Sequence, residues 1–547
     1  MRFCVLIIAA CCCSVGLFAQ TDGGNGNVTP ESFDVVKVYE PVLADAIKVS
    51  FSPDLPSYEE LQKNKPSFKD YYVPTRLMNI SYDPPALKPL KYDDSKNKKP
   101  ATDSESNYHF WLRGGFGNLV TPLIDVSASN GKSERFSIGA DAFYNSSRGN
   151  IDFQDMRRLG AKVYGKAFLG AATLGMNVDY RQHHLYYYGY DHADTTLEIN
   201  AADIEQRYQN IGAGVNLSNS SANEAQVDYW IGIDFLNTRN LQSLHENSIN
   251  TRLDISKGIG DNIMLAWKNQ IGFSKYNTES PSDFAVNSTP TFSYVADFGK
   301  FTIGASALVS EKNFRAFPYI ELIGNISDKF SLYGRWNKTI TDNDYHTFAR
   351  QNPFIDNNIS LHNTLNEARI VGVQAKSERL GVRLEGFQRI GQQQALFVNT
   401  HTTVERFVAV YDTVKALGAQ LELSYDIMKK VHCNLQTTFQ KYTTTNETAA
   451  WHLPTLQSSL SLHFLPIERL SLGTEIFVYQ GMKALLASGN STTLPAVIDL
   501  NLAAKYQIQQ HIAVFANGNN LLNRNNGLFY AYPTYKINFL GGILLRF

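Results

Sequence analysis

Arg181 to Asp194 reads Arg-Gln-His-His-Leu-Tyr-Tyr-Tyr-Gly-Tyr-Asp-His-Ala-Asp. His183, His184, Asp191, His192 and Asp194 are donors of the kind that hold divalent metals. Interleaved with them are Tyr186, Tyr187, Tyr188 and Tyr190, which favour another reading: an aromatic girdle at a membrane boundary, with a polar loop beyond it. A second polar stretch, 341–365, carries Asp342, Asp344, His346, Arg350, Asp356 and His362. On an external loop such groups could capture a nutrient; more often they are solvated cover. His432 stands beside Cys433, but adjacent positions of a strand point to opposite faces, which is poor geometry for a reactive thiol. No nucleophile constellation, phosphate-binding glycine motif or nucleic-acid module is found. The expectation is therefore no enzyme, no cofactor, no nucleic-acid partner, and no assigned catalytic, cofactor-binding or metal residue.

These groups need elements to position them, and composition bounds what the elements are. The chain has 547 residues with 50 Lys+Arg against 51 Asp+Glu, so it has no basic footprint for nucleic acid. Its 29 Tyr and 32 Phe beside only 7 Met suit a barrel with two aromatic girdles. Residues 1–19 read as a signal peptide, with Arg2, an apolar run from Val5 to Phe18, and Ala19 before the cut. A lipoprotein box at Ile8-Ala9-Ala10-Cys11 is the rival reading. Cleavage at Ala19 leaves only Cys433 of five cysteines. No later apolar run has the length of a membrane helix, and an exported chain of this kind spans a membrane as a closed barrel.

Residues 20–107 hold ten of the 19 prolines and end in a polar run, so they read as an extended periplasmic or lumen-filling segment. From residue 108 to 547 the pattern is alternation. Tyr535, Ile537, Phe539, Gly541, Ile543, Leu545 and Phe547 share one face; Lys536, Asn538, Leu540, Gly542, Leu544 and Arg546 share the other. Ile498, Leu500, Leu502, Ala504 and Tyr506 alternate likewise with Asp499, Asn501, Ala503 and Lys505. The fold class is an all-β transmembrane antiparallel β-barrel of about 22 strands. Among the strands placed are 288–298, 317–327 and 535–547. Even-to-odd connections are short, as at Asn130-Gly131 and Gln509-Gln510; odd-to-even ones are mostly long, as at 189–205, 341–365 and 519–534. One hairpin more or fewer gives 20 or 24, not an odd number. Trp111, Trp230, Trp267, Trp336 and Trp451 are expected at interfaces or in lipid contact.

The C-terminal third resembles a known family. Asp499-Leu500, then Ala513 to Asn523 (Ala-Val-Phe-Ala-Asn-Gly-Asn-Asn-Leu-Leu-Asn), Tyr532-Pro533 and a terminal Phe547 are similar to the end of TonB-dependent receptors. Ala416 to Glu422 resembles a strand of the same family, and the overall style resembles barrels of the Bacteroidetes. The resemblance implies a 22-strand barrel, nutrient or solute uptake across the outer membrane, and a C-terminal aromatic read by the barrel assembly machinery. The chain departs from the family in its N-terminal part: residues 20–107 are too short and proline-rich for the compact plug domain. Phe33 to Val38 only faintly resembles a segment that pairs with TonB.

A barrel of about 22 strands is roughly 45 Å across at the backbone, so something should block the lumen. Residues 20–107 and inward-folding loops are the candidates. The alternative to uptake is a non-transporting scaffold or accessory subunit of an outer-membrane assembly or secretion complex. Expected partners are outer-membrane lipid, the assembly machinery during biogenesis, and a periplasmic or surface lipoprotein.

Overall fold

The structure is a computed structural model. It describes residues 110–130, 135–169, 172–219, 227–242, 244–260, 262–276, 283–310, 313–327, 329–377, 379–399, 403–428, 431–467 and 469–547. The signal peptide and the segment 20–107 lie outside the described residues.

The strands run β1 Phe110–Gly117, β2 Thr121–Ser129, β3 Phe136–Ser147, β4 Met156–Leu169, β5 Ala172–Tyr186, β6 Glu205–Asn219, β7 Val227–Arg239 and β8 His245–Ile259. They continue with β9 Ile263–Tyr276, β10 Asp283–Ala296, β11 Gly299–Ser310, β12 Asn313–Ser327, β13 Phe330–Thr341, β14 Thr364–Lys376, β15 Leu380–Asn399 and β16 Phe407–Met428. The last are β17 Val431–Thr443, β18 Leu456–Ile467, β19 Leu470–Gln480, the short pair β20 Lys483–Leu485 and β21 Ser491–Thr493, then β22 Val497–Gln509, β23 Ile512–Asn519 and β24 Asn538–Arg546. All but β20 and β21 form one 22-stranded sheet. Each strand pairs antiparallel with the next, and β1 pairs with β24 from Trp111↔Arg546 to Gly117↔Leu540, so the sheet closes on itself. Phe110 and Phe547 exchange both backbone bonds at 2.8 and 2.9 Å. Closure matters because an unmet backbone group in hydrocarbon costs several kcal/mol.

Alternation sets the two faces. On β24, Phe539 and Ile543 are each 51% exposed while Leu540 and Leu544 are buried, as the sequence implies. The expected run from Tyr535 is too long: β24 starts at Asn538, and Tyr535 turns into the loops, where its hydroxyl donates to Gln154 O at 3.0 Å. The inner wall carries cross-strand charge pairs, including Arg113 with Asp125 and Arg383 with Glu422 at 2.8 Å. His432 faces His463 and Cys433 faces Leu462 in the register, which puts the two neighbours on opposite faces.

Two strands extend furthest beyond the starts the sequence reading gave them. β10 begins at Asp283 and β12 at Asn313, each running through a proline that would ordinarily end a strand. Each proline coincides with a loss of pairing. Near Pro290 the β10–β11 register passes from Ser288↔Ala307 to Thr291↔Gly304, and Pro318 lies just beyond the last β12–β13 pair, Ile320↔Trp336. Above that point β13 leans behind β10. There the Asn287 amide replaces a strand: Ile340 N donates to its Oδ1 at 2.6 Å, and its Nδ2 donates to Ile340 O at 3.0 Å.

Candidate functional site: a lid over one mouth

The connections sort by end, as expected. At one end β22–β23 turns within Gln510–His511 and β10–β11 within Asp297–Phe298. At the other lie 148–155, 187–204, 342–363, 444–455, 481–496 and 520–537. These long loops fold together over their mouth. Tyr187, Tyr188, Tyr345, Phe348, Phe354, Ile355, Phe397, Phe407, Met482, Phe529 and Tyr532 share one buried apolar cluster, and Tyr345, Phe348, Ile355 and Tyr532 have no exposed surface at all. Burying aromatics of this size dominates the energetics of such a core.

The tyrosines assigned to a girdle are therefore placed differently. Tyr187 and Tyr188 are 1% and 4% exposed inside the lid. Each phenol finds an acceptor, as a buried hydroxyl must. Tyr187 Oη donates to Ile355 O at 2.8 Å, Tyr208 Oη to Pro353 O at 2.9 Å and Tyr188 Oη to Pro533 O at 3.0 Å. Burial pushes the Tyr187 phenol up to about 12. Phe354 stacks on Tyr532 with centroids 3.6 Å apart at 18°, and Tyr188 meets Tyr532 edge-on at 5.0 Å.

Stretch 341–365 is likewise more than solvated cover. It contains helix α2, Tyr345–Gln351, which with α1, Ala201–Ile204, is one of two short helices among the described residues. Asp344 caps α2 by accepting from Thr347 N at 2.7 Å, and Glu246 of β8 accepts from Tyr345 N at 2.7 Å. His346 Nδ1 lies 2.9 Å from Asn210 Oδ1; Asp356 faces Arg406 at 3.9 Å; His362 meets Tyr411 edge-on; Arg350 is exposed. The loop is thus keyed to β6, β8 and β16 rather than floating above them.

The candidate metal ligands do not converge. His183 is half-buried and faces inward, with no partner for its buried Nε2, beside a cavity lined by Gln154, Asp155, Tyr188 and Phe354 that has room for roughly one water. His184 points the other way and meets Glu205 at 2.9 Å. His192 Nε2 lies 2.9 Å from Tyr188 O, while Asp191 and Asp194 are exposed. Among the described residues no group of three or more His, Cys, Asp or Glu could hold a metal ion. The tryptophans split. Trp267 is outward and 46% exposed, but Trp111 is 3% exposed, Trp451 is 1% exposed in a loop core, and Trp336 Nε1 donates to Glu367 at 3.0 Å. Trp230 lies under Arg252, with 5.2 Å from the guanidinium carbon to the ring centroid.

Titratable groups inside the lid tie its stability to pH. Burial, with Asp344 and Asp283 nearby, lifts Asp342 to about 7. Burial lowers His346 and His452 each to about 4, opposed for His346 by Asp344 and for His452 by its bond to Phe397 O. A raised carboxyl costs the closed lid stability as pH rises from about 4 through 7. A depressed imidazole costs it stability as pH falls from about 6.5 through 4. His452→Gln isolates one of these contributions: as pH falls from about 6.5 toward 4, hydrogen exchange of lid amides, corrected for intrinsic rates, should become slower in the variant relative to wild type. A variant-to-wild-type ratio that does not change with pH would contradict this assignment.

The lid residues were missed in sequence because loops were read as polar. The signal was present in Tyr345…Phe348, spaced for one helix face behind an Asp cap, and in Pro353-Phe354-Ile355 and Leu528-Phe529-Tyr530.

No protein-family model and no curated protein matches the sequence. Solved structures do match in fold. The ferripyoverdine receptor of the outer membrane of Pseudomonas aeruginosa superposes with a TM-score of 0.60 at 12% identity, covering 80% of this chain and 72% of that one. The FrpB iron transporter of Neisseria meningitidis gives 0.63 at 11%, covering 80% and 82%. The siderophore receptor PiuA of Acinetobacter baumannii gives 0.58 at 9%, covering 80% and 81%. With its sheet closed on itself, an apolar outer wall and a charged inner one, this chain is an outer-membrane β-barrel that shares the 22-strand fold of those receptors.

Proposed function

We propose that the chain is the barrel of a solute-uptake system in the outer membrane, related to the TonB-dependent receptors and of Bacteroidetes type, with residues 20–107 too short and proline-rich for a plug domain. In this reading the long loops face outward and act as a gate, and no step is enzymatic. The observation that carries it is the lid. A polar-walled lumen roughly 25–30 Å wide is closed by loops with their own core, separable from the ladder that holds the wall. The fold neighbours, whose names refer to ferripyoverdine, iron and a siderophore, suggest a small chelate as cargo.

Planar-bilayer recording of the full chain tests the gate. The intact protein should show little conductance, and removal of 346–360 should give steps on the order of a nanosiemens. An intact protein that already conducts at that level rules out the gate. The tight aromatic packing of the lid also supports a second reading, a sealed scaffold in an assembly or secretion complex with a lipoprotein partner. Co-purification of partner subunits from native membranes, with a deletion variant that folds but stays closed, would favour it.

A further inference from the structure

The outer wall of β4, β5 and β6 climbs toward the long-loop end in registered tiers. Val163, Val178 and Ala213 stand side by side, then Ala161, Tyr180 and Ile211, then Leu159, Gln182 and Gln209, then Arg157, His184 and Arg207. Successive tiers are about 6.8 Å apart along the strands. The lowest is for hydrocarbon: Val163 and Val178 are 55% and 58% exposed. The middle ones are amphipathic and internally satisfied, because Tyr180 Oη donates to Gln182 Oε1 at 3.0 Å and Gln209 Nε2 donates to the same two oxygens at 3.1 and 3.2 Å.

The top tier is different in kind. Three basic side chains lie directly across neighbouring strands, with Glu205, bonded to His184, and Asp155 as nearby carboxylates. Basic groups then step down around the wall: Arg239 and His245 stand in the tier of Gln209, and Lys275 on β9 one tier lower, across from Asn247. Arg157, Arg239, His245 and Lys275 are exposed. Arg157 and Arg207 flank His184 from both sides, and positive groups gathered on one rim repel one another. A counter-anion at this height removes that cost, and arginine forks suit phosphate oxygens in geometry and charge.

We propose that the stepped basic rim formed by Arg157, His184 and Arg207, and one tier lower by Arg239 and His245, binds the phosphate groups of anionic lipid in the leaflet at the long-loop end. The acyl chains lie on the Val163–Val178 tier, and the glycerol or sugar lies on Tyr180, Gln182 and Gln209. Its assignment to the outer leaflet, and so to a phosphorylated glycolipid, rests on the outward orientation of the loops proposed above; the phosphate chemistry does not.

Native mass spectrometry of the full chain in detergent tests this, with diphosphorylated lipid A, its dephosphorylated form, phosphatidylglycerol and inorganic phosphate as probes. Wild type should retain lipid A about tenfold better than the dephosphorylated form, and R157Q/R207Q/R239Q should lose that advantage. The lumenal control Lys162→Gln should keep it. Heat-modifiable migration on gels reports that each variant is folded; if the triple variant is not, single R239Q and the salt dependence of wild-type retention carry the test. Phosphatidylglycerol retained through the rim in place of lipid A would keep the phosphate site and overturn the outward orientation. Retention independent of phosphate, equal retention by the variant, or full competition by millimolar inorganic phosphate would each overturn the proposal.

Discussion

Tyr532→Ala should unlatch the lid while leaving the barrel intact. The side chain has no exposed surface; it stacks on Phe354, meets Tyr188 and Phe407, and donates its hydroxyl to Glu405 O. It ties loop 520–537 to 187–204, 342–363 and 403–406. Truncating a buried aromatic to alanine costs about 3–5 kcal/mol, because the cavity collapses only in part. That corresponds to opening roughly a hundredfold to five-thousandfold more often. Hydrogen exchange should show that rise in lid amides such as those of 345–355, with ladder amides in β14–β16 unchanged. Tyr532→Phe keeps the stack and loses one hydrogen bond, about 1 kcal/mol. Equal protection in the alanine variant would mean the lid is not one core. Gly189 bears on the same contact: a Cβ there would stand 2.5 Å from the Tyr532 ring, so Gly189→Ala should loosen the lid in the same direction.

Asp412→Ala should release loop 444–455. Asp412 is buried on β16, and its Oδ2 accepts three consecutive backbone amides, Thr445 at 3.0 Å, Asn446 at 2.8 Å and Glu447 at 2.8 Å. Its Oδ1 accepts from Thr413 N at 2.7 Å and Asn446 Nδ2 at 3.1 Å. Bonds to a charged acceptor contribute about 1.5–3 kcal/mol each, though not additively, so a local loss of about 3–5 kcal/mol is expected. Trp451, in this same loop, packs on Leu396, Val398 and Val414 and donates to Glu447 at 2.8 Å. In a variant whose only tryptophan is Trp451, emission should shift to the red. Asp412→Asn keeps one acceptor oxygen and should show a smaller shift. An unshifted alanine variant would mean the turn holds itself.

The ladder was legible in the sequence because lipid enforces a period of two: wherever one face meets hydrocarbon and the other water, residues such as Phe539 and Leu540 must alternate. The turn lengths added a second, independent constraint on strand number. Ends were less legible. β10 and β12 pass through Pro290 and Pro318, and a missing donor can be tolerated where a neighbouring strand falls away or a side chain such as Asn287 substitutes. The lid was least legible, since its core joins residues as far apart as Tyr188 and Tyr532, and no local period links them. His183 and His184 show the same limit. Their adjacency suggested one site, whereas the pleat sends one into the wall and the other toward lipid.

The width of the hoop varies around its circumference. β15 and β16 remain zipped from Leu380↔Tyr425 to Asn399↔Phe407, while β1 and β24 overlap only from Trp111 to Gly117. A belt of uneven width gives way where it is narrow, and the joins β1–β24, β2–β3, β12–β13 and β22–β23 each register seven pairs. A barrel pulled apart starts to tear at one of these, leaving the broad β15–β16 flank to keep its share of the lid in register.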